Sequence, residues 1–269
     1  MKGPTVPLNL VLVRHGESEG NAASTKDKEG DDGAYTQEFM GQHNSWWRLT
    51  AKGETQAREA GKWLSENFEP GFFDRLESSQ YARAMQTAAL LGIQDVEWRL
   101  NDYLRERDRG IMDVITTSIR DTVFGLWTDA RKKSRFYAPF PGGESMSQLC
   151  ERFDRVMDTL VRSGSQNVLL VCHGELMWAA RVRIERLRSD QFDTFNGSKD
   201  PLDKIHNCQI IHYTRQNPET GAVLSHFGWV RSICPWDTSL STNEWCPIVR
   251  KTYTSESLLT LVDEMYPQA

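Results

Sequence analysis

Leu8-Asn9-Leu10-Val11-Leu12-Val13-Arg14-His15-Gly16-Glu17 decides the fold. Its first six residues form an almost unbroken apolar run rich in branched side chains. Such a run reads as a strand buried on both faces, as in a mostly parallel sheet. It stops at Arg14-His15-Gly16-Glu17. The design returns at Asn167-Val168-Leu169-Leu170-Val171-Cys172, which stops at His173-Gly174-Glu175. In open α/β sheets, ligands sit beyond the carboxyl ends of the strands. Both histidines are therefore expected in one crevice.

Working outward, the segments between these strands read as helices. Thr50 is a suitable N-cap for a helix running to about Phe68. Tyr81 to Leu91 is rich in alanine. Ser145-Met146-Ser147-Gln148 reads as a capping box, and Met146, Leu149, Phe153, Val156, Met157 and Leu160 follow at helical spacing. Gly174 to Arg188 continues the pattern. Phe72–Glu77 and Asp95–Trp98 read as strands, and Cys208–Thr214 and Ala222–Ile233 as strands joined by a turn. Alternating strands and helices imply an α/β fold, a three-layer α/β/α sandwich with a mostly parallel central sheet. We expect a single domain over residues 1–269. A long polar loop, capable of acting as a lid, is expected near residues 22–48. Residues 192–204 are left unassigned, and a C-terminal extension near 233–269 shows no strong pattern.

With 269 residues and a net charge of −5, the chain lacks the basic face or tail of a nucleic-acid binder. Its densest basic stretch, Arg131, Lys132, Lys133 and Arg135, reads as a solvated helix end. An anionic ligand would need a locally positive pocket. Cys150, Cys172, Cys208, Cys234 and Cys246 are odd in number and widely spaced, without a CxxC pair. That favours reduced thiols over disulfides and disfavours zinc. The apolar stretch before Arg14 is too short for a signal-peptide core, and no run approaches a membrane span. We expect a cytoplasmic protein without a membrane partner. A homo-oligomer is compatible with the sequence.

Arg14-His15-Gly16-Glu17-Ser18, followed by Asn21, resembles the signature of the histidine phosphatase superfamily, in its phosphoglycerate mutase-like branch (branch 1). Further matches come in the family's order. They are Leu49-Thr50 with Gly53, Gln56 and Ala57; Ser79 through Arg83-Ala84 to Thr87-Ala88; Leu104-Arg105-Glu106 with Gly110; Pro141-Gly142-Gly143-Glu144-Ser145 with Arg152; and Val171-Cys172-His173-Gly174. The resemblance spans about Leu8 to Leu187, and Asn207 ahead of a strand is compatible with it.

The resemblance implies a metal-independent phosphohydrolase without a cofactor, acting on a small-molecule phosphate ester. His15 attacks phosphorus and becomes phosphohistidine. Arg14 and Arg83 grip the non-bridging oxygens through guanidinium forks. His173 donates to the phosphate in its charged form. Asn21, Ser18 and Gly174 complete the substrate cradle. Glu106 protonates the leaving oxygen and then takes a proton from water, a task that a raised pKa would suit. Glu17, Asp102 and Asp108 are further acids that could compete for that role. Glu144 and Arg152 read as structural. Trp46 and Trp47 either cover core or line the pocket mouth.

Mutases of the family carry a longer insert after the acid motif, where basic residues hold the far end of the substrate. Gly110-Ile111-Met112-Asp113-Val114 departs from that pattern. Hydrolysis is therefore favoured over two alternatives. One is mutase-type phosphoryl transfer. The other is a non-catalytic module that binds phosphorylated ligands on the same fold.

Overall fold

The computed structural model describes residues 5–266. Its elements run β1 (Asn9–Arg14), α1 (Glu19–Lys28), α2 (Gln37–Met40), α3 (Ala51–Asn67), β2 (Arg75–Ser78), α4 (Ala82–Leu90) and β3 (Trp98–Leu100). They continue with α5 (Thr117–Val123), α6 (Gly125–Lys132), α7 (Met146–Ser163), β4 (Asn167–Cys172), α8 (Gly174–Glu185), α9 (Ser189–Gly197), β5 (Ile210–Thr214), β6 (Trp229–Ile233), β7 (Cys246–Pro247) and α10 (Ser255–Met265).

The strands form one sheet in the order β3-β2-β4-β1-β5-β6-β7. β3, β2, β4 and β1 are parallel, and β5, β6 and β7 extend the sheet antiparallel. Side chains alternate between faces along a strand, so each central strand feeds two cores. Leu10, Leu12, Val168 and Leu170 pack with α7 and α8, through residues such as Phe153, Val156 and Ala180. Val11, Val13, Leu169 and Val171 pack on the other face with Ala57, Leu64, Ala84 and Ala88 from α3 and α4. This is the expected three-layer sandwich. Burying each branched side chain contributes about 1.5–3 kcal/mol, which explains why these two strands carry no polar interruption after Asn9.

Register fixes the site. Arg14 pairs with Cys172, so His15 and His173 leave neighbouring parallel strands level with one another. His15 continues the parity of Val11 and Val13, and His173 that of Leu169 and Val171. Both thus belong to the face covered by α3 and α4. The β1 turn lies so close to α3 that a Cβ on Gly16 would sit 2.3 Å from the Gly53 carbonyl oxygen. A Cβ on Gly53 would meet the Glu17 oxygen at 2.0 Å. Only a glycine pair permits that backbone approach.

Several elements differ from expectation. Residues 22–48 are not one loop: α1 extends to Lys28, and α2 and a short 3-10 turn at Asn44–Trp46 follow. Helix α1 hides from pattern reading because it buries only Gly20 and Ala23, and its start rests on a capping box between Ser18 and Asn21. Trp47 stacks on Phe39 at 5.0 Å and packs where any Cβ on Gly20 would strike its ring. Trp46 is exposed, so the tryptophan pair splits. Strand β2 starts about three residues late, because Phe72 and Phe73 pack against Phe68 ahead of the sheet, and β3 starts only at Trp98, after Asp95 takes a φ of 54°. Residues 192–204 include most of α9, and the C-terminal stretch contains β7 and α10. Among the described residues no helix is long and apolar enough to cross a membrane.

Candidate active site

His15 is 2% exposed at the end of β1. Its Nδ1 lies 2.7 Å from the Gly16 carbonyl oxygen. A carbonyl can only accept, so Nδ1 carries the ring proton and Nε2 keeps its lone pair. That lone pair accepts from Arg83 Nε at 3.2 Å. Burial, then the charges of Arg83 and Arg14, hold the imidazole well below its ordinary pKa. His15 is therefore neutral and oriented across the neutral pH range, with an unprotonated Nε2.

The backbone around His15 is tied from several sides. The Gly16 N–H donates to Thr87 Oγ1 at 3.0 Å, joining the β1 turn to α4. Asn207 Nδ2 donates to the His15 carbonyl and to Asn21 Oδ1, each at 3.1 Å. Trp236 Nε1 in turn donates to the Asn207 carbonyl at 2.6 Å. Asn21 uses only Oδ1 in these contacts, which leaves its amide edge to a ligand. Ser18 is buried and caps α1, so its hydroxyl is committed to the helix start.

Arg83 projects from the first turn of α4 and is 4% exposed. Its Nη1 donates to the Asn44 carbonyl at 2.6 Å, and its guanidinium lies 4.9 Å from the centre of the Tyr81 ring. Burial lowers its pKa to about 10, which leaves it charged at neutral pH. Arg14 donates through Nη1 to the Ile205 carbonyl at 2.6 Å, while its Nε is buried without a protein partner. Gly174 begins α8, and a Cβ there would stand 3.3 Å from Arg14 Nε. The glycine thus lets Arg14 approach a helix N-terminus whose N–H groups favour an anion.

His173 is fully buried, its ring 5.0 Å from those of both His15 and Tyr81. Its Nε2 pairs with Ser79 Oγ at 2.9 Å, and its Nδ1 is buried without a protein partner. Ser79 Oγ also accepts from the Tyr81 N–H at 3.3 Å, which leaves it one proton and one lone pair to share with His173 Nε2. Burial, then Arg83, His15 and Arg14, push the pKa of His173 well below the ordinary value. As folded it is neutral.

Glu106 lies in the loop after β3. Its Oε1 accepts from the Arg107 N–H at 2.9 Å. Its pKa is raised, first by burial and then by Glu175, against the opposing pull of that hydrogen bond, Arg83 and Arg109. The competing acids are engaged elsewhere. Glu17 accepts from Thr50 and pairs with Lys52, both at 2.9 Å, and Asp102 and Asp108 are exposed. Arg152 holds the acid loop from behind. It forks onto Glu144 and donates to the Tyr103, Arg105 and Glu106 carbonyls at 2.8, 2.8 and 3.1 Å. The structural reading of this pair stands, with the addition that it positions Glu106.

His15, Arg14, Arg83, His173, Glu106 and Gly174 thus meet at one end of the sheet. Ser79, Tyr81, Asn44 and Thr87 join them. Ser79 and Thr87 stand inside the quoted arginine motif, but nothing in the sequence gave them a partner. Asp113 touches Asn44 Nδ2 and is a further acid with a raised pKa, owing chiefly to burial. No cluster of three or more candidate metal ligands occurs among the described residues.

A family model described as histidine phosphatase superfamily (branch 1) matches residues 10–226. A 2,3-bisphosphoglycerate-dependent phosphoglycerate mutase of Parvibaculum lavamentivorans is 29% identical, over 71% of this chain and 86% of that protein. A human 6-phosphofructo-2-kinase/fructose-2,6-bisphosphatase is 28% identical over 64% of this chain, and the match spans only 31% of that longer protein. Among solved structures, an alpha-ribazole phosphatase from Shigella flexneri superposes with a TM-score of 0.60 at 19% identity, covering 81% of this chain and 96% of that one. At that identity the likeness concerns the fold.

Proposed function

The chain belongs to the histidine phosphatase superfamily, branch 1, and on that premise we propose that it hydrolyses a small-molecule phosphate monoester through a phosphohistidine on His15. The observation that carries this reading is the orientation of His15, with Nδ1 tied to the Gly16 carbonyl and the Nε2 lone pair free of a proton.

In the first step Nε2 bonds to phosphorus and the ester P–O bond breaks. The leaving oxygen takes the proton of Glu106, whose raised pKa keeps it available. The Nδ1–H bond to Gly16 stabilises the positive charge that develops on the ring. Arg14 and Arg83 neutralise the transferring oxygens, together with the N–H groups at the start of α8 and the amide edge of Asn21. His173 presents Nδ1–H to the phosphate, with Ser79 holding the tautomer. A phosphate dianion beside it favours the charged imidazolium. In the second step Glu106 takes a proton from water, the hydroxide bonds to phosphorus, and the N–P bond breaks to release inorganic phosphate. The arginines supply the charge that a metal would otherwise bring. The reaction domain is taken as the whole chain. Five free cysteines, four of them buried, favour a reducing, cytoplasmic setting.

The test is phosphate release from an aryl phosphate by wild type and His15→Ala in the presence of a chelator. Release by the first protein alone supports the reading. Chelator-sensitive activity restored by a divalent metal contradicts it. So does conversion of 3-phosphoglycerate to 2-phosphoglycerate without phosphate release.

A further inference from the structure

Arg83 is held from outside the motif that supplies it. Its Nη1 donates to the carbonyl of Asn44, in the 3-10 turn Asn44–Trp46, at 2.6 Å, and its Nε donates to His15 Nε2 at 3.2 Å. A guanidinium is planar, so these two bonds fix the direction of the whole fork. One of them is lost in the reaction. Once His15 Nε2 bonds to phosphorus, it has no lone pair left for Arg83. The Asn44 carbonyl is then the anchor that keeps the fork in place.

That anchor is itself tied down. Asn44 is 4% exposed, and its Nδ2 donates to Asp113 Oδ2. Its Oδ1 is buried without a protein partner, so the Asp113 contact carries the orientation of the side chain. Asp113 stands on a rigid point. It closes the 3-10 turn Gly110–Met112, whose Met112 is 1% exposed. Gly110 takes a φ of 53°, and a Cβ there would meet the Pro141 carbonyl oxygen at 2.1 Å. The turn is therefore pressed onto the backbone that follows it in space, in a conformation that favours glycine. A second tie joins the same two segments: the Thr117 N–H and Oγ1 donate to Asp27 Oδ2 at 2.8 and 2.6 Å. Arg109, Arg83, Asp108 and His43 are the charged and titratable groups that act on Asp113. The Asp113 charge in turn favours the cationic form of Arg83.

We propose that Asp113 is a positioning residue for the reaction: through the Asn44 side chain it holds the Asn44 carbonyl against Arg83, and so keeps the guanidinium on the transferring phosphoryl group after His15 has given up its lone pair. The inference rests on the hydrolase reading and adds a residue to its machinery. Asp113 acts through two partners and leaves the acid role to Glu106. It also joins the halves of the site, because the loop that carries Glu106 and the segment that carries Asn44 meet over Arg83. The tie needs an acceptor at position 113 and no charge, so an asparagine oxygen there can still receive Asn44 Nδ2.

The experiment is a double-mutant cycle on aryl phosphates. Asp113→Ala should lower kcat/KM by about ten- to a hundredfold, mostly in kcat, as expected when a group that acts in the transition state is misplaced. In an Arg83→Ala background the same substitution should cost less than about twofold, because the residue it positions is gone. Asp113→Asn should restore most of the loss. Esters with good and poor leaving groups should slow alike, since Arg83 acts on the phosphoryl group. A merely structural role would lower both backgrounds by the same factor, and that result overturns the proposal. So does slowing confined to poor leaving groups, which would place Asp113 with Glu106, and so does no loss at all. If Asp113→Ala does not fold, Asn44→Ala cuts the same tie and is read in the same cycle with the same outcomes. If wild type hydrolyses no ester, the phosphatase reading fails separately. The cycle is then measured as calorimetric affinity for orthovanadate, with the loss again expected only where Arg83 is present and equal losses overturning the proposal.

Discussion

His15 and His173 leave adjacent strands in register, each followed by glycine, yet their second ring nitrogens meet different partners. His15 Nδ1 faces a carbonyl, which can only accept, so the proton is fixed there and Nε2 keeps the lone pair that accepts from Arg83 Nε. His173 Nε2 faces a hydroxyl, which can donate as well as accept, and its Nδ1 is buried without a protein partner; on the proposed mechanism the proton sits on Nδ1. On the proposed mechanism the two identical dipeptides take opposite roles, electron-pair donor and hydrogen-bond donor. The lesson concerns tautomers rather than residue types.

The contrast can be broken by substitution. His15→Ala should reduce turnover of any ester by on the order of 10⁴–10⁶-fold with the thermal midpoint nearly unchanged. A comparable loss from His173→Ala, with a phosphoenzyme still formed by His15→Ala, would reverse the assignment. Glu106→Gln should slow esters with poor leaving groups by roughly 10²–10⁴-fold and esters with good ones far less. The pH profile sharpens this. Glu106 must be protonated for the first step, and its pKa is raised, so kcat/KM should fall as pH climbs through that raised value. His15 is held well below 6.5, so its acidic limb lies far from neutrality. The variant should lose the alkaline limb and keep the acidic one. Equal slowing of good and poor leaving groups would remove Glu106 from the acid role.

Arg83→Ala should cost about 10²–10³-fold in kcat/KM, because it removes a buried donor aimed at the transferring group. Arg83→Lys should restore only part of this, since an ammonium cannot fork. The smallest expected effect belongs to Ser79→Ala. Losing one neutral hydrogen bond should lower kcat about tenfold, and the pH at which His173 protonates should move. An unchanged pH profile would mean that Ser79 does not set the tautomer.

Much of this geometry is legible in the sequence, for physical reasons. A strand buried on both faces must be continuously apolar, so β1 and β4 announce themselves and their polar ends mark the crevice. Arg83 and Glu106 are legible only through ordered motifs. Ser79 and Thr87 act through partners distant in the chain, which no local pattern records. Helix α1 is hidden because its buried face is only Gly20 and Ala23. The inward turn of Arg107, Arg109, Arg120, Arg131 and Arg135 onto one cavity is hidden, because its wall also draws on Glu175 and Asn196, and charge along a sequence does not reveal which side chains turn inward.

The most direct test is to quench the enzyme during turnover of a ³²P-labelled ester and map the acid-labile, base-stable label. The two-histidine contrast predicts the label on His15 alone, accumulating further in Glu106→Gln when the leaving group is good. Label on His173, or turnover without any labelled histidine, would contradict it.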